Sequence, residues 1–268
     1  MSPVMLALTE LPDGSRRAVR GVLSDIDETI STAGRITAEA YGAMERLRAA
    51  GLLVIPITGR PAGWCDHIAR MWPVDAVVGE NGGVYVIHDD RLRKLKKCYA
   101  TDEAERREAR ARLAAIGERI VAAVPGCALA SDQRYRECDL AIDYCEDVAP
   151  LPRDAVDRIV AMMRAAGMSA RVSSIHVNGW FGTYDKLTMT RRLLSEQFGI
   201  DLGARRSEFA FVGDSPNDAP MFEYFPFSIG VANVRRFADQ LAAPPKYVTT
   251  REAGAGFAEL ANFLLAGR

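Results

Sequence analysis

The sequence predicts an α/β fold, a parallel sheet with helices on both faces, into which a separate α+β segment is inserted. Short apolar strands alternate with amphipathic helices over 21–78 and again over 209–265, which is typical of a parallel sheet. Between them the pattern changes to a charged, Ala-rich helix and strands of alternating polarity. We therefore expect a discontinuous core domain, at 1–84 and 184–268, and an inserted α+β module at 85–183.

The first part of the core is predicted to contain three strands and two helices. The apolar runs of strand length are 21–26, 52–57 and 75–78. Thr37 is a suitable N-cap for a helix over 38–50 that ends at Gly51, and Pro61 stands where a second helix can begin.

The second part of the core repeats this alternation, whereas the insert differs from it. The core strands are predicted at 209–212, 227–231 and 247–249, and the core helices at 186–198, 217–224, 234–242 and 255–265. In the insert, helices are predicted at 101–123 and 153–166 and strands at 140–144 and 171–177. Gly82-Gly83 and the segment 179–182 are the expected crossings between the two parts.

Composition excludes several classes of protein. The chain has 268 residues, with 34 Lys and Arg against 35 Asp and Glu, so it lacks the basic excess of most nucleic-acid or membrane-surface proteins. No apolar run approaches the length of a membrane span, and the N-terminus does not have the pattern of a signal peptide. The five cysteines contain no C-x-x-C pair and are expected to be reduced thiols of a cytoplasmic protein. The sequence does not indicate an oligomeric state.

Four short segments concentrate residues that can carry chemistry. These segments are Asp25-Ile26-Asp27-Glu28-Thr29, Thr58-Gly59-Arg60, Lys186, and Gly213-Asp214-Ser215-Pro216-Asn217-Asp218. Three of them follow a predicted strand directly, and Lys186 begins a predicted helix. In an open α/β sheet, ligands bind beyond the carboxyl ends of the strands, so we expect these segments to meet there.

The residue types indicate phosphate chemistry that depends on a metal. Of two carboxylates at one site, one can act as nucleophile and the other as acid and base if their environments differ. Clustered carboxylates repel each other unless a cation holds them, and an all-oxygen cluster favours Mg²⁺. The hydroxyl of Thr58, the backbone N–H groups beside it and the ammonium of Lys186 are suited to phosphate oxygens.

D-x-D-x-T at 25–29 and G-D-x-x-N-D at 213–218, with a strand-terminal Thr and a Lys between them, resemble the haloacid dehalogenase superfamily of phosphohydrolases. The resemblance extends over about 20–266. ITGR at 57–60 and GENGG at 79–83 are similar to the branch with a large cap between the second and third motifs. That branch includes phosphatases of sucrose-phosphate, trehalose-phosphate and mannosyl-phosphoglycerate, and phosphomannomutases. The resemblance implies a Rossmann-like core with an α+β cap.

The resemblance also implies a role for each motif residue. Asp25 would be the nucleophile that becomes a phosphoaspartate, and Asp27 would protonate the leaving alkoxide and then activate water. The residues that would contact the phosphoryl group are Thr58, Gly59, Lys186 and Asn217. The ligands of Mg²⁺ would be Asp25, the backbone carbonyl of Asp27, Asp214 and Asp218.

Two positions depart from the family pattern. Glu28 occupies a place where Gly is usual, and it adds a negative charge near the entrance of the expected site. Lys186 lies in YDKLTM rather than before a glycine, which leaves Lys246 as a competing candidate, although Lys246 fits the order of the motifs badly.

Several residues allow two interpretations. Arg60 either contacts substrate or pairs with Glu80, and Thr58 is alternatively a simple helix N-cap. Trp180, at the crossing out of the insert, either lines the site or fills the hinge. The remaining candidates for substrate contact lie within the insert and have a solvated or structural role as the alternative: Arg134, Arg136 and Asn178.

These expectations define a Mg²⁺-dependent phosphomonoesterase that acts on a small phosphorylated metabolite, such as a sugar phosphate. One alternative is a phosphomutase with the same chemistry, which would return the phosphoryl group to the sugar. Alternatives from other classes are a phospho-accepting signalling module and a ligand-binding protein without activity. The complete set of acidic residues argues against the last of these.

Overall fold

A six-stranded parallel sheet forms the centre of the core in a computed structural model that describes residues 5–266. The strand order is Leu6–Ala7, Tyr247–Val248, Phe227–Gly230, Phe209–Gly213, Gly21–Ser24 and Leu53–Pro56. Every neighbouring pair is parallel. The predicted α/β fold with a parallel sheet is therefore confirmed.

Alternating side chains of the strands enter two separate apolar cores, one on each face of the sheet. Val22, Val54 and Ala210 belong to one cluster, whereas their neighbours along the chain, such as Leu23 and Phe211, belong to the other. Because successive side chains of a strand point to opposite faces, a sheet that is buried on both faces needs apolar residues throughout. This explains why the core strands read as continuous apolar runs.

The helices cover both faces of this sheet. The first cluster is closed by side chains from the helices Ala38–Ala49, Ala62–Met71 and Ala253–Leu265, and the second by those from Lys186–Phe198, Leu202–Arg205 and Ala219–Tyr224. A further short helix spans Asp13–Ala18. Thr37 caps the helix Ala38–Ala49 by accepting a hydrogen bond from Ala40 N, as predicted. No helix within 5–266 is both long and apolar enough to cross a membrane.

A small antiparallel sheet extends the core beyond the predicted boundary of the insert. Its strands are Val77–Gly79, Val84–Asp89 and Lys94–Tyr99, and a parallel bridge from Ile57 to Val78 joins it to the end of the central sheet. Val84–Asp89 crosses the predicted boundary at 84/85 and pairs with the core strand Val77–Gly79, and Lys94–Tyr99, which lies within 85–183, pairs with Val84–Asp89. The division of the chain into 1–84, 85–183 and 184–268 stays a prediction.

The insert contains a four-stranded sheet that packs against two helices. Its order is Ser169–Val172, His176–Trp180, Asp139–Asp143 and Ala128–Leu129, and all neighbours are antiparallel. The helices Glu103–Ala123 and Arg153–Ala165 contribute buried side chains such as Ile120 and Ile159 to a third apolar cluster. We call this unit, residues 103–180, the cap.

Two predicted elements are wrong. A single strand was expected at 171–177, but the chain turns there, because Ser173 Oγ accepts hydrogen bonds from the N–H groups of Ile175 and His176. The helix expected at 234–242 is a 3₁₀ helix over Ala232–Phe237. Its Asn233 side chain bonds into the site described below, and the chain then returns to the sheet through Pro244 and Pro245.

Gly82 provides a test of the packing between the turn after the strand Val77–Gly79 and the start of the helix Lys186–Phe198. Its φ is +103°, and a Cβ at this position would overlap the backbone carbonyl of Asp185, just before Lys186. We expect Gly82→Ala to lower the free energy of unfolding by at least about 2 kcal/mol in urea denaturation. Gly14→Ala is the control, since Gly14 lies in a helix with open space around it. Equal stability of both variants and the parent would contradict this close approach.

Candidate active site

The parallel strands bring three of the four motif segments to one edge of the sheet. Ser24 pairs with Val212 on one side and Pro56 on the other, so the chain continues from these strand ends toward Asp25, Asp214 and Thr58 together. Asp25 N–H also donates to Val212 O at 2.9 Å, which extends the ladder by one residue. The predicted meeting of the motifs therefore follows from the strand register.

Three buried carboxylates form an acidic centre at this edge. Asp25, Asp214 and Asp218 each contribute an oxygen, and these oxygens lie within 4.8 Å of one another. Burial raises the pKa of Asp25 to about 7, with Asp218 and Asp27 adding to the effect. Burial and the charges of Asp25 and Asp218 raise the pKa of Asp214 well above its usual range. The centre therefore resists its own ionisation unless positive charge enters it.

Lys186 supplies part of that charge. Its Nζ lies 2.7 Å from Asp25 Oδ1 and 2.8 Å from Asp218 Oδ1. Burial opposes the charge on Lys186, but Asp218 and Asp25 outweigh it and raise the pKa of the ammonium above its usual range. Lys246 is exposed at the amino end of the strand Tyr247–Val248, on the opposite edge of the sheet. Lys186 is thus the lysine that meets the acidic centre.

Asp218 also shapes the loop that carries Asp214. Its Oδ2 accepts hydrogen bonds from the N–H groups of Asp214 at 3.1 Å and Ser215 at 3.4 Å. Asn217 is nearly buried beside it and accepts a hydrogen bond from Ser215 Oγ at 2.8 Å. The G-D-x-x-N-D motif is therefore a closed turn that points its side chains into the site.

Asp214 retains an unpaired oxygen that faces the acidic centre. Its Oδ2 accepts a hydrogen bond from Asn233 Nδ2 at 3.1 Å, whereas its buried Oδ1 has no hydrogen-bond partner among the described residues. A buried carboxylate oxygen without a donor is costly, and a cation removes that cost. The donor set, all oxygen and strongly acidic, fits Mg²⁺.

Asn233 belongs to the site but was not identified from the sequence. Its Nδ2 also donates to the carbonyl of Glu28 at 2.9 Å, and its Oδ1 accepts from Ala253 N. The residue follows the strand Phe227–Gly230 closely, so the strand-end argument that found the other motifs applies to it too. The mistaken helix at 234–242 obscured this position.

The backbone at Glu28 explains why glycine is expected there. Its φ is +55°, in the left-handed region that costs a non-glycine residue about 1 kcal/mol or more. The carbonyl of Glu28 accepts from Asn233, and its N–H donates to Ser31 Oγ at 3.1 Å. These two bonds hold the turn in spite of the strain.

Arg60 joins Asp27 to the cap. Its Nε lies 2.9 and 3.1 Å from the two oxygens of Asp27, and its other nitrogens contact Asp132 at 3.4 Å and Glu146 at 2.6 Å. The ion pair with Glu80, one of the two interpretations of Arg60, does not form: Glu80 contacts Arg60 only by donating its backbone N–H to the Arg60 carbonyl. Asp132 and Glu146 were not predicted from the sequence, because no local pattern in their loops indicates contact with an arginine far away in the chain.

Glu80 holds the cap against the core through backbone groups. Its buried carboxylate accepts hydrogen bonds from Ala62 N at 2.8 Å and from the successive N–H groups of Glu137, Cys138 and Asp139. Burial and the nearby Asp139 carboxylate raise the pKa of Glu80 to about 7. A side chain of the core thereby fixes three consecutive residues of the cap.

The candidate substrate residues of the cap differ in placement. Arg136 is buried and contacts Asp132 at 3.0 Å, Asp139 at 2.9 Å and the carbonyl of Gly59 at 2.8 Å. Asn178 is also buried and donates to Asp139 at 3.1 Å. Arg134 is exposed. Arg136 thus links cap and core, and roles in substrate binding for these residues stay predictions.

For Thr58 and Trp180, the structure decides between the two interpretations. Thr58 is fully buried and accepts a hydrogen bond from Arg60 N at 3.0 Å, while the following helix is capped by Pro61, so the N-cap interpretation of Thr58 is wrong. Trp180 is buried, stacks on Tyr184 and donates Nε1–H to its carbonyl at 3.0 Å. This packing lies at the crossing out of the cap, so Trp180 fills the hinge.

A small cavity and a larger one lie beside Asp27 at the acidic centre. The smaller one is about 10 Å³, enough for about one water molecule, and lies between Asp25, Gly59 and Asn217 of the core and His176 and Asn178 of the cap. The larger is about 530 Å³ and opens beside Asp27 and Arg60, which line both cavities.

Curated relatives are phosphatases that match nearly the whole chain, although no family model matches it. A phosphoglycolate phosphatase of Methanothrix thermoacetophila is 28% identical over 249 residues, 92% of this chain and 98% of the relative. A phosphoglycolate phosphatase of Pyrobaculum neutrophilum is 28% identical over 91% of this chain and 94% of its own length.

Solved structures share the fold over almost the whole chain. The C-terminal domain of trehalose-6-phosphate phosphatase from C. albicans gives a TM-score of 0.69 at 13% identity, covering 97% of this chain and 98% of that one. A HAD/COF-like hydrolase from Plasmodium vivax gives 0.66 at 16% identity, covering 94% and 97%. The sucrose-phosphatase of Synechocystis sp. PCC6803 gives 0.62 at 16% identity, covering 92% and 98%. The predicted resemblance is thus confirmed, and the chain has the fold of the haloacid dehalogenase-like (HAD) hydrolases.

Proposed function

We propose that the protein is a Mg²⁺-dependent phosphomonoesterase that hydrolyses a small phosphorylated metabolite, such as a sugar phosphate. The observation that carries the proposal is the acidic centre, in which Asp25, Asp214 and Asp218 lie together and Lys186 pairs with Asp25 and Asp218. The phosphatases among the curated and structural relatives support the reaction class.

In the first step, the Asp25 carboxylate attacks phosphorus, and the bond from phosphorus to the leaving oxygen breaks as the new bond to Asp25 forms. Asp27 gives a proton to the leaving oxygen, so that an alcohol departs. Because both oxygens of Asp27 contact Arg60, at least one must be released before the proton is given. We propose that the Thr58 hydroxyl and the Lys186 ammonium hold phosphoryl oxygens.

In the second step, Asp27 takes a proton from a water molecule, which attacks phosphorus and breaks its bond to Asp25. The products are inorganic phosphate and the restored carboxylate. The same side chain thus serves as acid and then as base, which requires it to lie beside the leaving oxygen in the first step and beside the attacking water in the second.

We propose that Mg²⁺ is held by Asp25, Asp214 and the backbone carbonyl of Asp27, with Asp218 nearby. The support is the unpaired Oδ1 of Asp214 and the raised pKa values of Asp25 and Asp214. When bound, the ion neutralises charge on the carboxylates and the phosphoryl group.

We also propose a cytoplasmic location. All five cysteines are free thiols, and Cys65, Cys127 and Cys138 are buried. Reduced thiols of this kind are the rule in reducing compartments.

The nucleophile is tested by Asp25→Asn. We expect this variant to release phosphate from glucose 6-phosphate at least about 10³-fold more slowly than the parent, because an amide does not attack phosphorus. Asp90→Asn is the matched control, since Asp90 is largely exposed and pairs only with His88 among the described residues. Full activity of Asp25→Asn would overturn the mechanism. Isomerised sugar without free phosphate would indicate a phosphomutase instead.

Removal of the metal should abolish turnover. With EDTA in excess, the uncompensated carboxylates repel a phosphate dianion, so we expect no phosphate release above background and recovery when Mg²⁺ is added. Phosphate release is measured before chelation, after it, and after re-addition. Activity that resists the chelator would contradict the proposed role of the metal.

The acidic centre should also make stability depend on pH. The pKa of Asp25 is about 7 in the folded protein and near 3.8 when unfolded, so between these values the folded state holds a proton that the unfolded state has lost. Stability therefore falls as pH rises through this window. In EDTA, urea unfolding at about pH 5 and about pH 8 should show a larger loss for the parent than for Asp25→Asn. Equal losses in the two proteins would contradict the raised pKa.

A further inference from the structure

We infer that the larger cavity beside Asp27 receives the leaving group, and that this group is an uncharged alcohol carrying a ring. The inference rests on the proposed function and names the substrate class for the same site. We call this cavity the aromatic cavity; its principal lining residues are Asp27, Arg60, Trp64, His67, Trp72 and Tyr135.

The proposed role of Asp27 assigns the aromatic cavity to the leaving group. The leaving oxygen must lie next to the group that protonates it, so the leaving group begins at Asp27. The smaller cavity at Asp25 has space for about one water molecule and is closed over by cap residues such as His176. The aromatic cavity, at about 530 Å³, is within the size range of small-molecule sites and shares Asp27 with the smaller one.

The aromatic cavity belongs mainly to the core, so most of its walls do not depend on how the cap is placed. Its walls come from the turn after Asp25, the hairpin around Gly34 and the helix Ala62–Met71, while the cap contributes Tyr135. Tyr135 approaches Gly63 so closely that a Cβ there would lie 2.9 Å from the Tyr135 Cβ. A movement of the cap that admits a phosphoryl group leaves the core walls in place.

The side chains that line the aromatic cavity favour a leaving group that carries a ring. Trp64 and Tyr135 are 41% and 59% exposed, unusual for large aromatic side chains, and Trp72 is half-buried. Aromatic faces of this kind bind the apolar faces of rings, and the polar groups of Ser31 and His67 stand among them for hydroxyl groups. A two-carbon leaving group would leave most of this surface in contact with water.

The charged groups at and behind the wall of the aromatic cavity argue against an anionic leaving group. Within residues 5–266, the arginine that lines the aromatic cavity is Arg60, and its guanidinium is already engaged by Asp27, Asp132 and Glu146. Its face also stacks on Trp64, 4.5 Å from the ring centre. A carboxylate or second phosphate on the leaving group would lie beside the carboxylate of Asp27, and the neighbouring guanidinium of Arg60 is already paired with three carboxylates. The substrate therefore differs from phosphoglycolate, which appears in the names of the curated relatives.

The test compares phosphate release from ring-bearing and anionic esters with Mg²⁺ present. The ring-bearing probes are glucose 6-phosphate, trehalose 6-phosphate and adenosine monophosphate, which separate sugars from nucleosides as the source of the ring, and the anionic probe is 2-phosphoglycolate. We expect kcat/KM for the best ring-bearing ester to exceed that for 2-phosphoglycolate at least about tenfold.

Substitutions in the lining of the aromatic cavity test whether the preference for ring-bearing esters arises there. Trp64→Ala and Tyr135→Ala should each raise KM for the preferred ring-bearing ester roughly tenfold, with a much smaller effect on 2-phosphoglycolate. Met71→Ala is the control, because Met71 is 63% exposed on the same helix and does not line the cavity. His67→Lys adds a cation at an exposed lining position and should raise kcat/KM for 2-phosphoglycolate severalfold.

The outcomes separate this inference from the function on which it rests. If 2-phosphoglycolate is hydrolysed as well as the ring-bearing esters, or if Trp64→Ala and Tyr135→Ala weaken all esters equally, the inference is wrong while the phosphatase function stands. If the parent protein releases phosphate from none of the probes and from no other phosphomonoester in a wider panel, the proposed function itself fails.

Discussion

The mutual repulsion of buried carboxylates is the constraint on which the rest of this site depends. Asp25, Asp214 and Asp218 are forced together because parallel strands end side by side, and burial removes the water that would otherwise screen them. Lys186, the N–H groups that bind Asp218 and the amide of Asn233 each offset part of this repulsion. The unpaired Oδ1 of Asp214 marks where these protein groups are insufficient. A near-neutral total charge therefore conceals a locally acidic centre, to which the proposed Mg²⁺ would bring positive charge.

Charge compensation also joins the core to the cap. Arg60 and Arg136 each bind carboxylates from the cap, and Arg136 in addition binds the carbonyl of Gly59 in the core. Glu80 completes the junction by accepting backbone N–H groups of the cap. Buried ion pairs add little stability in general, but breaking one partner is costly. The cap is thus positioned by polar groups at its junction with the core, while its own apolar core stabilises it independently.

The sequence predicted those features that follow from local pattern. Apolar runs located the central strands, Thr37 located a helix start, and the acidic motifs at strand ends located Asp25, Asp214 and Asp218. Contacts that depend on the placement of the cap were not predictable, because Asp132 and Glu146 are separated from Arg60 by more than 70 residues of chain. Alternating polarity at 171–177 also concealed a turn, since a serine whose hydroxyl binds the next N–H groups looks the same as a strand serine.

Arg60 connects the position of the cap to the chemistry at Asp27. The guanidinium bridges two sets of carboxylates, Asp27 on the core side and the pair Asp132 and Glu146 on the cap side. With the cap docked, Arg60 remains bound when Asp27 turns toward a leaving oxygen, because the cap carboxylates still accept its N–H groups. With the cap withdrawn, Arg60 would keep Asp27 alone of these three carboxylates, so the same movement would break its last ion pair. In the proposed mechanism, release of Asp27 is therefore easier when the cap is in place.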